Sequence, residues 1–197
     1  MDTEQEKTLR SGEFEIRPLQ KKKWKTIRSE YLFRRPWLTA RLDQIELPDG
    51  RIIPEYYVLE YPDWVNVIAI TRDGQFVMER QFRYAAQLDS IELPCGVAEP
   101  GEDPLRAAQR ELLEETGYGG GRWEKLMTIY ANPGSLNNPT HCFLATDVEP
   151  IGSPKLDDTE ELTVELMSRQ QVYDLLTHDR LIQALMIAPL WKYFSRF

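Results

Sequence analysis

The sequence predicts an α+β fold, in which a mixed β-sheet is packed between helices. Three observations predict it. Strand-like segments are mixed with only a few helical ones, several of the strands are linked as hairpins, and 42% of the 197 residues are hydrophobic, enough to fill a core at this length. A strand-rich unit over residues 1–60, with a polar and loosely ordered start, is expected to precede the main domain at 61–197.

In that first unit, Tyr31–Phe33, Leu38–Ile45 and Tyr56–Leu59 read as strands, with a turn at Pro48-Asp49-Gly50. Trp64–Ile70 is a continuous apolar run and therefore a buried strand; Arg72-Asp73-Gly74 turns it into a partner at Gln75–Gln81. Ser90–Leu93 is a short strand ending at Pro94, and residues 103–116 read as a helix. Strands at Lys125–Tyr130 and His141–Ala145 flank a loop from Ala131 to Pro139, and Glu161–Met167 alternates as one more strand. Helices are expected at 169–177 and 180–195, the second kinked or interrupted by Pro189.

Composition narrows the function. The net charge of −8 and the single short basic run Lys21-Lys22-Lys23 argue against a nucleic-acid binder. No apolar run approaches the ~20 residues of a membrane span, and the charged N-terminus lacks a signal-peptide core, so a cytoplasmic location is expected. With two cysteines and two histidines, a metal site must be built from oxygen ligands, which favours Mg2+, with Mn2+ as the second choice.

The segment Gly96–Tyr118 concentrates the chemistry. Its helix starts with Glu102, Asp103 and Pro104 and stops at Gly117, while Leu105, Ala108 and Leu112 share a core-facing stripe. On the other face Glu111, Glu114 and Glu115 crowd at spacings of three and four. Each like-charge pair costs roughly 0.2–0.5 kcal/mol on a bare helix, and each anion at the helix C-terminus about 0.3–1 kcal/mol. Either this is a solvated acidic face with Arg106 and Arg110 as partners, or a divalent cation reverses the sign of both penalties.

The whole spacing is Gly96, five residues, Glu102, seven residues, Arg110-Glu111, an apolar residue, any residue, Glu114-Glu115, any residue, Gly117 and an apolar residue. At every defined position this resembles the signature of the Nudix hydrolases. The resemblance implies the Nudix fold and divalent-metal hydrolysis of a nucleoside diphosphate derivative, a small-molecule partner. It implies Glu111 and Glu115 as main metal ligands, Glu114 beside them, and the main-chain carbonyl of Cys95 as a further ligand. Arg110 would hold a glutamate in one rotamer. The resemblance thus implies a catalytic set of Arg110, Glu114 and Glu115 with an acid from the loop Leu156–Leu162. Asp158, Glu160 and Glu161 are the choices there, for a base or a further ligand.

The rest of the chain is similar to the ADP-ribose pyrophosphatase branch of that family. Gln81-Phe82-Arg83-Tyr84 resembles its Gln-x-Arg segment, which implies that Arg83 touches the substrate. Pro133, sixteen residues after Gly117, matches a marker proline. Trp37 is implied as the aromatic stacking on the nucleobase, with Tyr56 on its other face, and the N-terminal unit is implied to exchange across a homodimer. One position departs: Asn138 stands where the branch carries a sugar-side glutamate, which keeps an acceptor but loses the charge and points to a related nucleotide sugar as an alternative to ADP-ribose. The competing reading is a nucleotide-sugar sensor on a Nudix core, but such proteins tend to lose motif glutamates, and every one is kept here.

Overall fold

The computed structural model describes residues 23–35, 38–156 and 161–197. The expectations for the start of the chain, for Trp37 and for Asp158 and Glu160 fall outside these residues.

Strands β1 (Lys25–Arg35), β2 (Leu38–Glu46) and β3 (Ile52–Glu60) form a three-stranded sheet in the order β1-β2-β3. The hairpin between β2 and β3 closes where predicted: Gly50 N donates to the Leu47 carbonyl at 2.9 Å with Gly50 at φ 86°, a conformation that favours glycine. Residues 23–30 and Leu42–Tyr56 cluster as one compact unit, and Tyr31–Arg41 with Tyr57–Phe197 as a second. Within the first, Ser29 Oγ donates to Asp43 Oδ1 at 2.6 Å, and Trp24 meets Tyr56 edge to face with ring centroids 6.1 Å apart.

The second unit holds an eight-stranded mixed sheet. Strands β4 (Trp64–Thr71), β5 (Phe76–Arg83), β6 (Leu88–Glu92), β7 (Cys95–Val97), β8 (Tyr118–Gly119), β9 (Arg122–Ile129), β10 (Thr140–Pro150) and β11 (Leu162–Met167) build it. Its spine runs β11-β5-β4-β10-β8, with β6 on β5, β7 on β4 and β9 on β10. Among the ladders of this sheet in the described residues, only β4–β10 is parallel. A strand in the middle of a two-faced sheet must be apolar throughout, and β4 is buried along its length except at its ends.

Side-chain alternation in β4 sorts the core into two layers. Val65, Val67 and Ala69 pack with Ala107, Ala108 and Leu112 of helix α1 (Pro104–Thr116). Ile68 and Ile70 pack with Val172 and Leu176 of α2 (Arg169–Thr177) and with Met186, Leu190 and Tyr193 of α3 (Ala184–Arg196). The sheet therefore lies between α1 on one face and α2 with α3 on the other, as predicted.

Some boundaries differ from the sequence reading. β7 and β8 are too short to leave a periodic signal, and β1 and β10 run further than their apolar segments. Helix α3 begins at Ala184 rather than residue 180, and it continues through Pro189 without interruption. A proline cannot donate to the carbonyl four residues back, here Leu185. The side chain of Asn66, buried in β4, donates Nδ2 to that carbonyl at 2.8 Å and replaces the missing bond.

Candidate active site

Helix α1 is positioned by its ends. Asp103 is the N-cap, its carboxylate accepting from Leu105 N and Arg106 N at 3.0 and 3.2 Å. Gly117 closes the helix in the left-handed region at φ 75°, donating to the Leu113 carbonyl at 2.9 Å. The buried stripe on the sheet fixes the rotation of the helix, so its glutamates lie toward β7 and the loop that precedes the helix.

Arg110 ties these carboxylates together. Its Nε and Nη2 donate to the two oxygens of Glu102 at 3.2 and 3.0 Å, and Nη1 donates to Glu111 Oε1 at 2.9 Å and Glu114 Oε2 at 3.0 Å. Nη2 also donates to the Val97 carbonyl at 3.0 Å. One guanidinium thus spans three glutamates and the β7 backbone. These partners hold Arg110 firmly in its charged form and pull the Glu102 carboxyl below its ordinary range, mainly through the hydrogen bond from Arg110.

Glu115 is buried beside β7, where its Oε2 accepts from Cys95 N at 2.9 Å. The Glu111 carboxylate lies against Gly96, where a Cβ would overlap it, so only glycine leaves that seat. Cys95 itself turns its side chain into the core between the sheet and α2 with α3. Burial pushes its thiol well above the ordinary range, and Glu115, Glu79 and Glu92 add to the effect, so the thiol is not a nucleophile here. Among the described residues, no three His, Cys, Asp or Glu side chains converge into a ready metal cluster. The donor set around Gly96 is nevertheless made of hard carboxylate oxygens, which suits Mg2+ or Mn2+ and excludes a thiolate-type site.

Arg83, at the end of β5, makes a two-pronged ion pair with Glu92 of β6, Nε to Oε1 at 2.8 Å and Nη2 to Oε2 at 2.5 Å. The hydrogen bond to Glu92 holds Arg83 firmly in its charged form. Glu161 is exposed immediately before β11, where Leu162 pairs with Gln81 of β5. Tyr56 belongs to the other compact unit.

Pro133 is an exposed turn residue in the loop after β9. That loop is held at its far end by two asparagines: Asn137 Oδ1 accepts from Tyr61 N at 3.3 Å, and Asn138 Nδ2 donates to the Pro62 carbonyl at 2.9 Å. Asn138 also lines a cavity of about 240 Å³ with Tyr61, Trp64, Leu136, Thr140 and Gln183.

Sequence reasoning missed Glu92, Gln183 and Asn137. Glu92 left a weak signal, a carboxylate between Ile91 and Leu93; Gln183 and Asn137 left none, because both act through partners distant in sequence.

A nucleoside diphosphate sugar hydrolase N-terminal domain matches residues 24–59, and a NUDIX domain matches residues 61–188. The chain is 33% identical over 163 residues to an ADP-ribose pyrophosphatase of Bacillus subtilis (strain 168), covering 78% of this chain and 88% of that one. It is 32% identical over 163 residues, with the same coverage, to a methanol dehydrogenase activator of Bacillus methanolicus. The solved structure of an ADP compounds hydrolase, 22% identical, shares the fold with a TM-score of 0.77 over 88% of this chain and 93% of that one. With an intact glutamate helix braced by Arg110, the Nudix layering of sheet and helices, and a domain match over most of its length, the chain belongs to the Nudix hydrolase family.

Proposed function

We propose that the protein hydrolyses the pyrophosphate bond of a nucleoside diphosphate sugar, ADP-ribose or a close relative of it, in a Mg2+-dependent reaction that yields a nucleoside monophosphate and a sugar phosphate. The observation that carries this reading is the Arg110 guanidinium braced on Glu102, Glu111 and Glu114 while Glu115 rests on Cys95 N. Glutamates gathered around one guanidinium at this helix suit a task that needs concentrated negative charge.

Glu111 and Glu115, with Glu114 and the Cys95 carbonyl, would hold the cation, Mn2+ being able to replace Mg2+. When bound, such an ion lowers the pKa of water and neutralises charge on phosphoryl oxygens. The rest falls to the chain. Arg110 keeps the carboxylates from splaying apart. Arg83 offers a guanidinium to the diphosphate. An acid of the segment before β11, Asp158, Glu160 or Glu161, takes the proton from the attacking water. Trp37 and Tyr56 would enclose the base. The cavity beside Asn138 has no charged side chain among its lining residues, which suits a neutral sugar on the second phosphate, with Pro133 in the loop that carries Asn138.

The partner of the N-terminal unit in this reading is a second copy of the chain. Every residue of β1 is exposed, and Tyr31, Leu32 and Phe33, which point to alternate faces, are each 41–46% exposed. Apolar residues on both faces of a strand in a three-stranded sheet call for a cover. Sedimentation at equilibrium should return twice the mass of 23.1 kDa; a monomer mass at micromolar concentration contradicts the homodimer. No helix among the described residues is long and apolar enough to cross a membrane, and we place the enzyme in the cytoplasm.

The substrate test is a panel of nucleoside diphosphate derivatives with Mg2+, with the products identified by chromatography. Release of a nucleoside monophosphate together with a sugar phosphate is expected. Cleavage of none of the sugar nucleotides contradicts the proposal, while activity on another sugar nucleotide in preference to ADP-ribose would assign the substrate that Asn138 favours.

A further inference from the structure

The geometry points to Gln183, outside the glutamate helix and far from it in sequence, as a positioning residue for Arg83. This rests on the reading of Arg83 as the arginine that meets the substrate diphosphate.

Glu92 is 2% exposed. A carboxylate so far from water stays charged only where donors surround it. Arg83 supplies two, and Gln183 supplies the third, Nε2 to Glu92 Oε2 at 3.0 Å. The Gln183 bond shares the oxygen that Arg83 Nη2 approaches at 2.5 Å. It therefore restrains the Glu92 carboxylate against rotation about its terminal bond, and the carboxylate plane sets the plane of the guanidinium that pairs with it. With Nε and Nη2 committed to Glu92, the orientation of the remaining Nη1 edge, the one left for a phosphate, follows from this three-residue chain.

Gln183 has no competing local duty. It occupies the N-cap of α3, yet its side chain makes no capping bond and reaches Glu92, 91 residues away in sequence. Its other amide atom, Oε1, is buried without a hydrogen-bond partner among the described residues. An unsatisfied buried acceptor is a cost to stability. The side chain is set by its donor end, which Glu92 accepts. The same residue lines the cavity beside Asn138, so helix α3 links the sugar-side cavity to the diphosphate arginine.

The test is a double-substitution cycle read in steady-state hydrolysis of ADP-ribose with Mg2+. Gln183→Met keeps the length of the side chain and removes the donor. KM should rise roughly tenfold, as expected for loss of one hydrogen bond to a charged group, with kcat within about twofold of the wild type. In an Arg83→Ala background the same substitution should leave KM unchanged, because the group it orients is gone. Gln183→Glu, which retains size but turns a carboxylate toward Glu92, is the second variant and should raise KM at least as much. Thermal unfolding of each protein is recorded in parallel. A KM unchanged by both Gln183 variants, or raised equally with and without Arg83, overturns the positioning role. A KM unchanged by Arg83→Ala itself instead overturns the reading of Arg83 on which the inference rests.

Discussion

Gly96 shows how a single missing atom shapes this site. The Glu111 carboxylate occupies the space a Cβ would take. Because the colliding group is the end of a flexible side chain, Gly96→Ala should cost little stability but displace Glu111. A displacement of about 1 Å at a reacting centre can cost on the order of 100-fold in rate, so kcat/KM should fall by 10- to 100-fold while the urea midpoint stays nearly constant. An unaltered rate contradicts the seat assigned to Glu111. At this scale the motif was legible from the sequence because its residues are local: Glu102, Arg110, Glu111 and Glu114 fall within one loop and helix and do meet. Glu92 and Gln183 were not legible, since strand pairing and the packing of α3 bring them together and neither leaves a period in the chain.

Among the elements, α1 and α3 contrast. Helix α1 carries its signals in its own sequence, with Asp103 as cap, Pro104 in the first turn and Gly117 at the stop, and its predicted and observed bounds differ by one residue. Helix α3 does not. Its proline looked like a break, and the helix persists because Asn66 of β4 satisfies the carbonyl of Leu185. Asn66→Leu should therefore destabilise the protein by about 1–3 kcal/mol, the usual cost of orphaning a buried polar group. The loss should shrink when Pro189→Ala restores a backbone donor to the same carbonyl. Equal losses in urea unfolding with and without Pro189→Ala contradict this account of the helix. Strand β7 was missed for a similar reason: three residues after Pro94 have no periodicity, and only pairing with Trp64–Asn66 makes them a strand.

For the molecule as a whole, the layered domain was legible because hairpins, a buried central strand and amphipathic helices each leave a distinct pattern, and together they admit few arrangements. The N-terminal part was legible as strand-rich, but the length of β1 was not, since every residue of it is exposed and it lacks the alternation that marks a half-buried strand. The proposed function unites the levels: a layered domain whose crowded acidic helix would meet a divalent cation and a diphosphate. The most direct measurement of that claim compares Mg2+-dependent turnover of the sugar nucleotide by the wild-type protein and by Glu115→Gln, with folding checked by circular dichroism. The account predicts activity that disappears on chelation and falls by at least about 100-fold in the folded variant, the scale at which a lost group of the catalytic centre is felt; equal rates in the two proteins, or turnover indifferent to Mg2+, would contradict it.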